Sequence, residues 1–498
     1  MDVKIKSALI SVFYKDGLEP IIRALHQNHV TLYSTGGTKK FIEDLGVPCT
    51  GIEQVTGYPS ILGGRVKTLH PKVFGGILAR RENQQDLSET AQYEIPLLDL
   101  VIVDLYPFRE TVNAGGTEQE IIEKIDIGGV SLIRAGAKNF NHACIISDKA
   151  DYNWFLEKYT VGSGSLNIAE RRELARRAFN TTANYDRQIG DWFDGAKNYL
   201  LRYGENPHQK AEFRGVLEAV FTKLQGKELS YNNLLDVDSA LCLLRDFDKN
   251  KGVTCVIVKH NNACGVATRA TSEAAWDDAF ACDPISAFGG ILAINAMVDA
   301  TTAQKIDTLF FEVLLAEDYT PEALKILQAK ANRILLKIHQ VAFKQQLIRT
   351  VLNGELVQDR DNGLATKKVM KPATTLHPTE SQFADLEFAL KIVKHNKSNT
   401  IVLAKDTCLL ASGTGQTSRV DALNQAIEKA GRFGFDLEGA VMASDAFFPF
   451  PDCVEIADKA GIKAVVQPGG SLKDQASIDY CNANNIAMVM TGMRHFKH

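Results

Sequence analysis

The chain has 498 residues, 45% hydrophobic and 23% charged, with a formal net charge of −4. That length allows two to four domains with full-sized cores, and that charge excludes a surface field able to gather nucleic acid or an anionic membrane, so any anionic ligand needs a local site. Nine scattered cysteines, none spaced C-x-x-C, argue against a disulfide framework or a structural zinc site and for a reducing compartment, the cytoplasm.

The N-terminal MDVKIKSALISVF reads as a strand with early lysines rather than a leader peptide. No window has the ~20 apolar residues of a membrane span. From there strand and helix patterns alternate over about the first 200 residues: KSALISVF, then the helix GLEPIIRALHQN, then the strand VTLYS. STGGT (34–38) follows that strand and opens the helix TKKFIEDLG. Ser34, Thr35, Gly36 and Gly37 would let backbone approach a ligand, and free N–H groups at a helix start bind anions; a plain tight turn fits as well. GGRVKTLHPKVFGGILAR (63–80) sets Arg65, Lys67, Thr68 and His70 among paired glycines. On an extended segment the Arg, Lys and Thr could put their polar groups on one side, which suits a phosphate or carboxamide. DLVIVDLYPF (99–108) reads as a buried strand ending at Tyr106. DIGGVSLIRAGAKN (126–139) carries Asp126 before Gly128 and Lys138 after a helical stretch. Tyr, Asp and Lys make a possible acid/base set, although each alone reads as packing, capping or solvation. ACIIS is a further strand, and a long helix starts at Glu170. This alternation implies a mostly parallel sheet with helices on both faces.

LRYGENPHQKA (201–211) breaks the pattern, so a domain boundary falls just before it. Arg202 and Tyr203 sit there in a loop dense in polar groups, as binding loops are. VIVKHNNACGVA (256–267) is a β-branched strand that delivers Lys259-His260 and Asn261-Asn262 at its end. A charged strand end turning into solvent explains that as well as a catalytic pair does. DPISAFGG brings Asp283 and Gly289; KSNTIVLAKD brings Asn399 into a strand. ASGTGQTSRVDALNQAIEKA runs into a helix with Arg419 at its start, where an anion would suit, and lacks the third glycine of a dinucleotide fingerprint. ASDAFFPFPD (443–452) is an aromatic cluster flanked by Asp445 and Asp452. The terminal TGMRHFKH, with Arg494, reads as a disordered tail. A charged, irregular stretch near 354–373 separates two halves of this second part. KHNNACG offers none of the ligand spacing of a zinc deaminase.

Together GGRVKTLHPKVFGGILAR, DLYPF, DIGGVSLIRAGAKN, RYGENPHQ, KHNNACG, SNT, GTGQTSR, SDAFFPF and RHF resemble, in order and over essentially the whole chain, the bifunctional purine biosynthesis family that joins an IMP cyclohydrolase to an AICAR transformylase. The resemblance implies an α/β chain: a methylglyoxal-synthase-like domain over 1–197, then a transformylase region over 198–498 made of two cytidine-deaminase-like αβα subdomains without zinc, divided near 355–375. It implies formyl transfer from 10-formyltetrahydrofolate to the 5-amino group of AICAR, then dehydrative closure of formyl-AICAR to IMP, with no metal needed for the chemistry. It also implies a homodimer with transformylase sites between subunits, and neither nucleic acid nor membrane as partner. By position-matching, His260 would be the base and Lys259 the cation, with Asn262 holding the formyl oxygen or orienting the pair. Arg202, Tyr203, Gly289, Glu312, Asn399, Arg419, Asp445, Phe447 and Arg494 would bind AICAR or folate. Lys138 would lead the ring closure, with Lys67, Tyr106 and Asp126 beside it. Lys15, Ser34, Thr35, Gly36, Gly37, Arg65, Thr68 and Gly128 would hold the nucleotide.

The chain also departs from the family pattern. SVFYK (11–15) has Phe13-Tyr14 where Ser-Asp is usual, which threatens side-chain contacts to the nucleotide there but not backbone ones. Ala263 replaces Pro, Glu312 replaces Asp, and Pro451 replaces a basic residue. Three other readings compete: a non-catalytic nucleotide or folate binder on the same scaffold, loss of one of the two activities, and a methylglyoxal-synthase-like lyase in the first half alone.

Overall fold

The structure, a computed structural model, describes residues 2–340 and 342–498. The chain divides into two units between Ala196 and Lys197. In the first, five parallel strands stand in the order Thr50–Gly51, Thr31–Ser34, Ser7–Ser11, Leu100–Val103, Cys144–Ile146. Alternate residues feed two cores: Ala8, Ile10 and Ile102 on one face, Leu9, Val101 and Ile145 on the other. Such two-sided burial is what turns these strands into nearly unbroken apolar runs, and each buried aliphatic is worth about 1.5–3 kcal/mol. The chain winds outward from Ser7–Ser11 in one direction, then crosses to Leu100–Val103 on the other side. Ligands on such sheets bind where that order reverses, beyond the carboxyl ends of the strands.

Several local expectations shift. The strand expected over 99–108 stops at Val103, because Asp104 turns its carboxylate onto the backbone N–H groups of Phe13 and Tyr14. Tyr106 therefore lies in a loop. The long helix spans Ile168–Phe193, starting two residues before Glu170, because Asn167 and Glu170 close a reciprocal cap at 2.9 and 2.8 Å.

The second unit is built on one twelve-stranded sheet. Two hairpins form its middle: Val253–Lys259 with Asn262–Arg269, and Ile401–Lys405 with Cys408–Gly413. Outward from the first run Ile291–Val298, Val313–Tyr319, Ile334–Ile338 and Phe221–Gln225. Outward from the second run Val441–Ser444, Ala464–Gln467, Ala487–Met490 and Lys371–Pro372. The two halves have the same order of parallel and antiparallel neighbours, so the unit is internally duplicated. The stretch read as irregular is not all loop. Gln346–Val351 and Gly354–Asp359 pair as an antiparallel hairpin with every residue exposed. The terminus is anchored rather than disordered: His495 is buried, its ring nitrogen 2.7 Å from Asp361, and its N–H donates to the Asp445 carbonyl at 3.0 Å. Among the described residues no helix is long and apolar enough to cross a membrane.

Candidate active sites

In the first unit, two helix starts meet one tight segment. Gly36 and Gly37 begin the helix Gly36–Asp44, and its N-cap Thr35 makes no side-chain cap. That leaves the first N–H groups available to an anion. The Lys67 ammonium lies 3.3 Å from where a Gly36 side chain would begin, and no partner among the described residues holds it. Thr68 Oγ1 stands 2.9 Å from the corresponding point on Gly128, at the start of the helix Gly128–Lys138. Residues 62–70 bring this about by turning rather than extending. Gly63 and Gly64 take φ of +64° and +84°, so consecutive polar side chains diverge. Arg65 is the casualty. It points away to Glu123 on the surface, with both side chains about half exposed or more (66% and 48%), instead of joining the anion cradle. Ser34 is likewise spent, its hydroxyl donating to the Ile10 carbonyl at 2.6 Å.

Tyr106 and Asp126 do come together beside this cradle. Asp126 accepts from the Gly129 N–H at 2.6 Å, and its own N–H donates to Tyr185 Oη at 2.9 Å. Burial pushes the Asp126 carboxyl up, against the pull of the Gly129 and Tyr106 N–H groups. Burial, then the charge of Asp126, pushes the Tyr106 hydroxyl up. A cavity of about 550 Å³ borders Tyr106, lined also by Tyr14, Asp104, Lys149, Asn180 and Asn184; neither Asp126 nor the residues of the anion cradle line it. Lys138 does not join this set. It sits at the far end of the helix that Gly128 begins, about 15 Å of rise away, exposed to solvent. The Phe13–Lys15 turn also differs from expectation. Its N–H groups at 13 and 14 bond Asp104, so they are not free for a nucleotide. The Lys15 ammonium bonds the Val12 and Phe13 carbonyls, and burial pulls its pKa down. Asp104 is the residue the sequence reading passed over. It stood two places from the noted Tyr106, with nothing to mark it as the partner of a turn 90 residues away.

In the second unit Lys259 and His260 sit at the tip of the first inner hairpin. The hairpin closes with two residues, His260 and Asn261, at φ +51° and +62°. Two left-handed residues in a row match the twist of paired strands, but that turn normally takes Asn-Gly. Lys259 Nζ donates to the Phe288 carbonyl at 2.6 Å, next to Gly289 at φ +70°. Asn262 accepts from the Lys397 N–H at 2.9 Å and donates to the His260 carbonyl at 2.8 Å. Its amide thus ties the pair to the segment leading to Asn399. A cavity of about 450 Å³ opens beside the pair, lined also by Asp283, Lys429 and Arg432. Lys429 pairs with buried Asp283 at 2.6 Å; both cations lie on the helix Arg419–Arg432 and carried no signal in sequence.

The other expected residues lie outside that cavity lining. Arg419 is not free for an anion: it donates to Asn399 Oδ1 (2.9 Å), fully buried Asp445 (3.2 Å) and Ser444 (3.2 Å). Arg494 stacks on Phe496 at 4.5 Å. Phe447 is 37% exposed. Arg202 stacks on Tyr203 and donates to its hydroxyl at 3.0 Å. Glu312 is held by Lys227 at 2.6 Å.

Comparison with known proteins agrees along the whole chain. The family model described as AICARFT/IMPCHase bienzyme matches residues 136–429, and that of the MGS-like domain matches residues 17–131. The protein named bifunctional purine biosynthesis protein PurH from Bacteroides thetaiotaomicron is 54% identical, over 99% of this chain and 99% of its own. Its namesake from Aquifex aeolicus is 45% identical over 99% of this chain and all of its own. A third, from Persephonella marina, is 43% identical with the same coverage.

Proposed function

The chain belongs to the AICARFT/IMPCHase bienzyme family, and from that premise we propose which residues of its two units perform the family's two reactions. The protein is a bifunctional AICAR formyltransferase and IMP cyclohydrolase. The observation that carries our assignment is the hairpin that lifts Lys259-His260 to the edge of a cavity.

In the transformylase half the 5-amino group of AICAR is a poor nucleophile, because its lone pair is drawn into the ring and the carboxamide. His260 takes its proton as it attacks the formyl carbon of 10-formyltetrahydrofolate. Lys259 stabilises the oxyanion or protonates departing N10. One of its three N–H donors is spent on Phe288, and two remain for the reaction. Asn262 orients the pair. In the cyclohydrolase half the helix start at Gly36-Gly37 and Lys67 hold the ribotide phosphate. Asp126 and Tyr106 exchange protons with the carboxamide nitrogen and the departing water.

The exposed hairpin supports a homodimer. Two strands alone are marginal in water, and this pair exposes Ile348 and Val357 on one face (63% and 53%). A second copy is the occupant in this reading. Nine free thiols suit a reducing cytoplasm.

The test mixes the protein with AICAR and 10-formyltetrahydrofolate, following tetrahydrofolate by absorbance and purines by chromatography. Wild type should yield tetrahydrofolate and IMP. His260→Ala should lose transfer yet close supplied formyl-AICAR; Asp126→Asn should do the reverse. A folded variant that loses both activities would refute the two-site assignment.

A further inference from the structure

The duplication of the second unit supplies an internal comparison for the catalytic hairpin. Lys259 and Lys405 are equivalent: each is the last residue before a two-residue turn, paired across it with Asn262 and Cys408 respectively. Each turn has two left-handed residues, His260-Asn261 at φ +51° and +62°, Asp406-Thr407 at +53° and +51°. Each return strand carries a bulge at the same step, Cys264 and Leu410 being the extra residues. Even the lysine contacts repeat. Lys259 donates to Phe288 and Lys405 to Glu438 (2.6 and 2.7 Å), each carbonyl three residues before the neighbouring strand.

Both turns are clamped by a carboxylate from the preceding long helix. Asp385, on Glu380–His395, accepts from the Asp406 and Thr407 N–H groups at 3.0 and 2.7 Å. Asp236, on Tyr231–Arg245, accepts from the Asn261 N–H at 2.6 Å. The Asn261 amide, turned with its NH₂ inward, reaches Asp236 (3.2 Å), Ser239 Oγ (3.1 Å) and the Leu235 carbonyl (2.9 Å). Left-handed backbone is unfavourable for His and persists only when surrounding contacts impose it. In the second half that device holds an ordinary turn. In the first it holds the residue that our assignment makes the base.

We propose that Asp236 is a positioning residue for formyl transfer: its carboxylate imposes the left-handed turn that aims His260 into the cavity, and Asp385 is its non-catalytic counterpart. This rests on the reading of His260 as the base. Burial pushes the Asp236 carboxyl up, opposed by the Asn261 N–H and by its neighbours His260 and Lys259, so the clamp is a charge held at a cost.

The experiment compares Asp236→Ala, Asp385→Ala and His260→Ala in the full chain. Asp236→Ala should lower kcat for transfer by about 10- to 100-fold, the loss expected from displacing a reacting group by ~1 Å. KM for AICAR and folate should stay within about threefold, and ring closure should be untouched. Asp385→Ala should lower the melting temperature comparably while keeping kcat. Adding Asn261→Gly to Asp236→Ala should restore much of kcat, because glycine adopts the turn without a clamp. Should Asp236→Ala not fold, Ser239→Ala removes one support of the Asn261 amide and should show the same kcat-only loss in smaller measure. Unchanged kcat in the folded clamp variant, or an equal kcat loss in Asp385→Ala, overturns the positioning role. Retained transfer in His260→Ala overturns the underlying assignment instead.

Discussion

In our assignment Asp126 must carry a charge where burial opposes one, and the consequence is visible in pH. Its carboxyl lies above the usual aspartate value chiefly through burial, helped by nearby Asp104. As a base it works only when ionised, so ring closure should fall as pH drops through that raised value, on an acid limb above the ~3.9 of a free aspartate. Stability runs the opposite way. The folded state holds this proton more tightly than the unfolded one, so the group stabilises most below the unfolded value and loses that contribution as pH rises through the folded value. Asp126→Asn should therefore cost activity, roughly 10²–10⁴-fold, without costing stability at neutral pH, since an amide oxygen can still accept from Gly129. A kcat/KM profile for formyl-AICAR and a melting curve at pH 7 check both halves. A lower melting temperature, or an acid limb that survives the substitution, would show that Asp126 is structural. At this scale sequence offered residue types but not partners. Lys259-His260 stands out at the end of a β-branched run. The reassignment of Arg65 to Glu123 and of Arg419 to Asp445 depends on side-chain directions that one-dimensional spacing does not carry.

Among the elements, the exposed hairpin is the one whose sequence and surroundings conflict. Ile348 and Val357 pair across it on one face, and neither enters a core among the described residues. Cross-strand apolar pairs with no cover mark an interface rather than a stable surface. Ile348→Lys with Val357→Lys should shift the proposed dimer toward monomer at micromolar concentration in sedimentation. Transfer should fall with it on dilution, while ring closure holds. A doubly substituted protein that sediments as the unchanged dimer would remove the hairpin from the interface. Most elements of the first unit were legible from sequence: Glu19–Gln27 and Gly36–Asp44 alternate with strands that are apolar on both faces. The hairpin was not, because its strands are short, carry charges and bury nothing, so neither periodicity nor hydrophobicity marks them.

For the second unit as a whole, duplication raises the question of whether its halves stand or fall together. Sequence hid the repeat: the matched stretches VIVKHNNACG and VLAKDTCLLA share little beyond a valine and a lysine. Backbone register shows it plainly. One core runs under both halves, joining Trp276, Ile294 and Leu315 of the first to Leu386, Val402 and Val466 of the second. A second core, with Leu403, Leu423 and Met442, belongs to the second half alone. If the continuous sheet and shared core make one cooperative body, damage confined to the private core must reach the other half. Leu403 is fully buried there, and Leu403→Ala should cost about 2–5 kcal/mol. Trp154, Trp192 and Trp276 are the three tryptophans, and only Trp276 lies in this unit. In a Trp154→Phe, Trp192→Phe background, Trp276 fluorescence reports on the first half alone. Leu403→Ala should move its urea midpoint down, in step with the loss of sheet signal by circular dichroism. A Trp276 midpoint that stays put while part of the sheet signal unfolds early would mean two independently folding halves. The clamp on His260 would then draw its rigidity from the first half only.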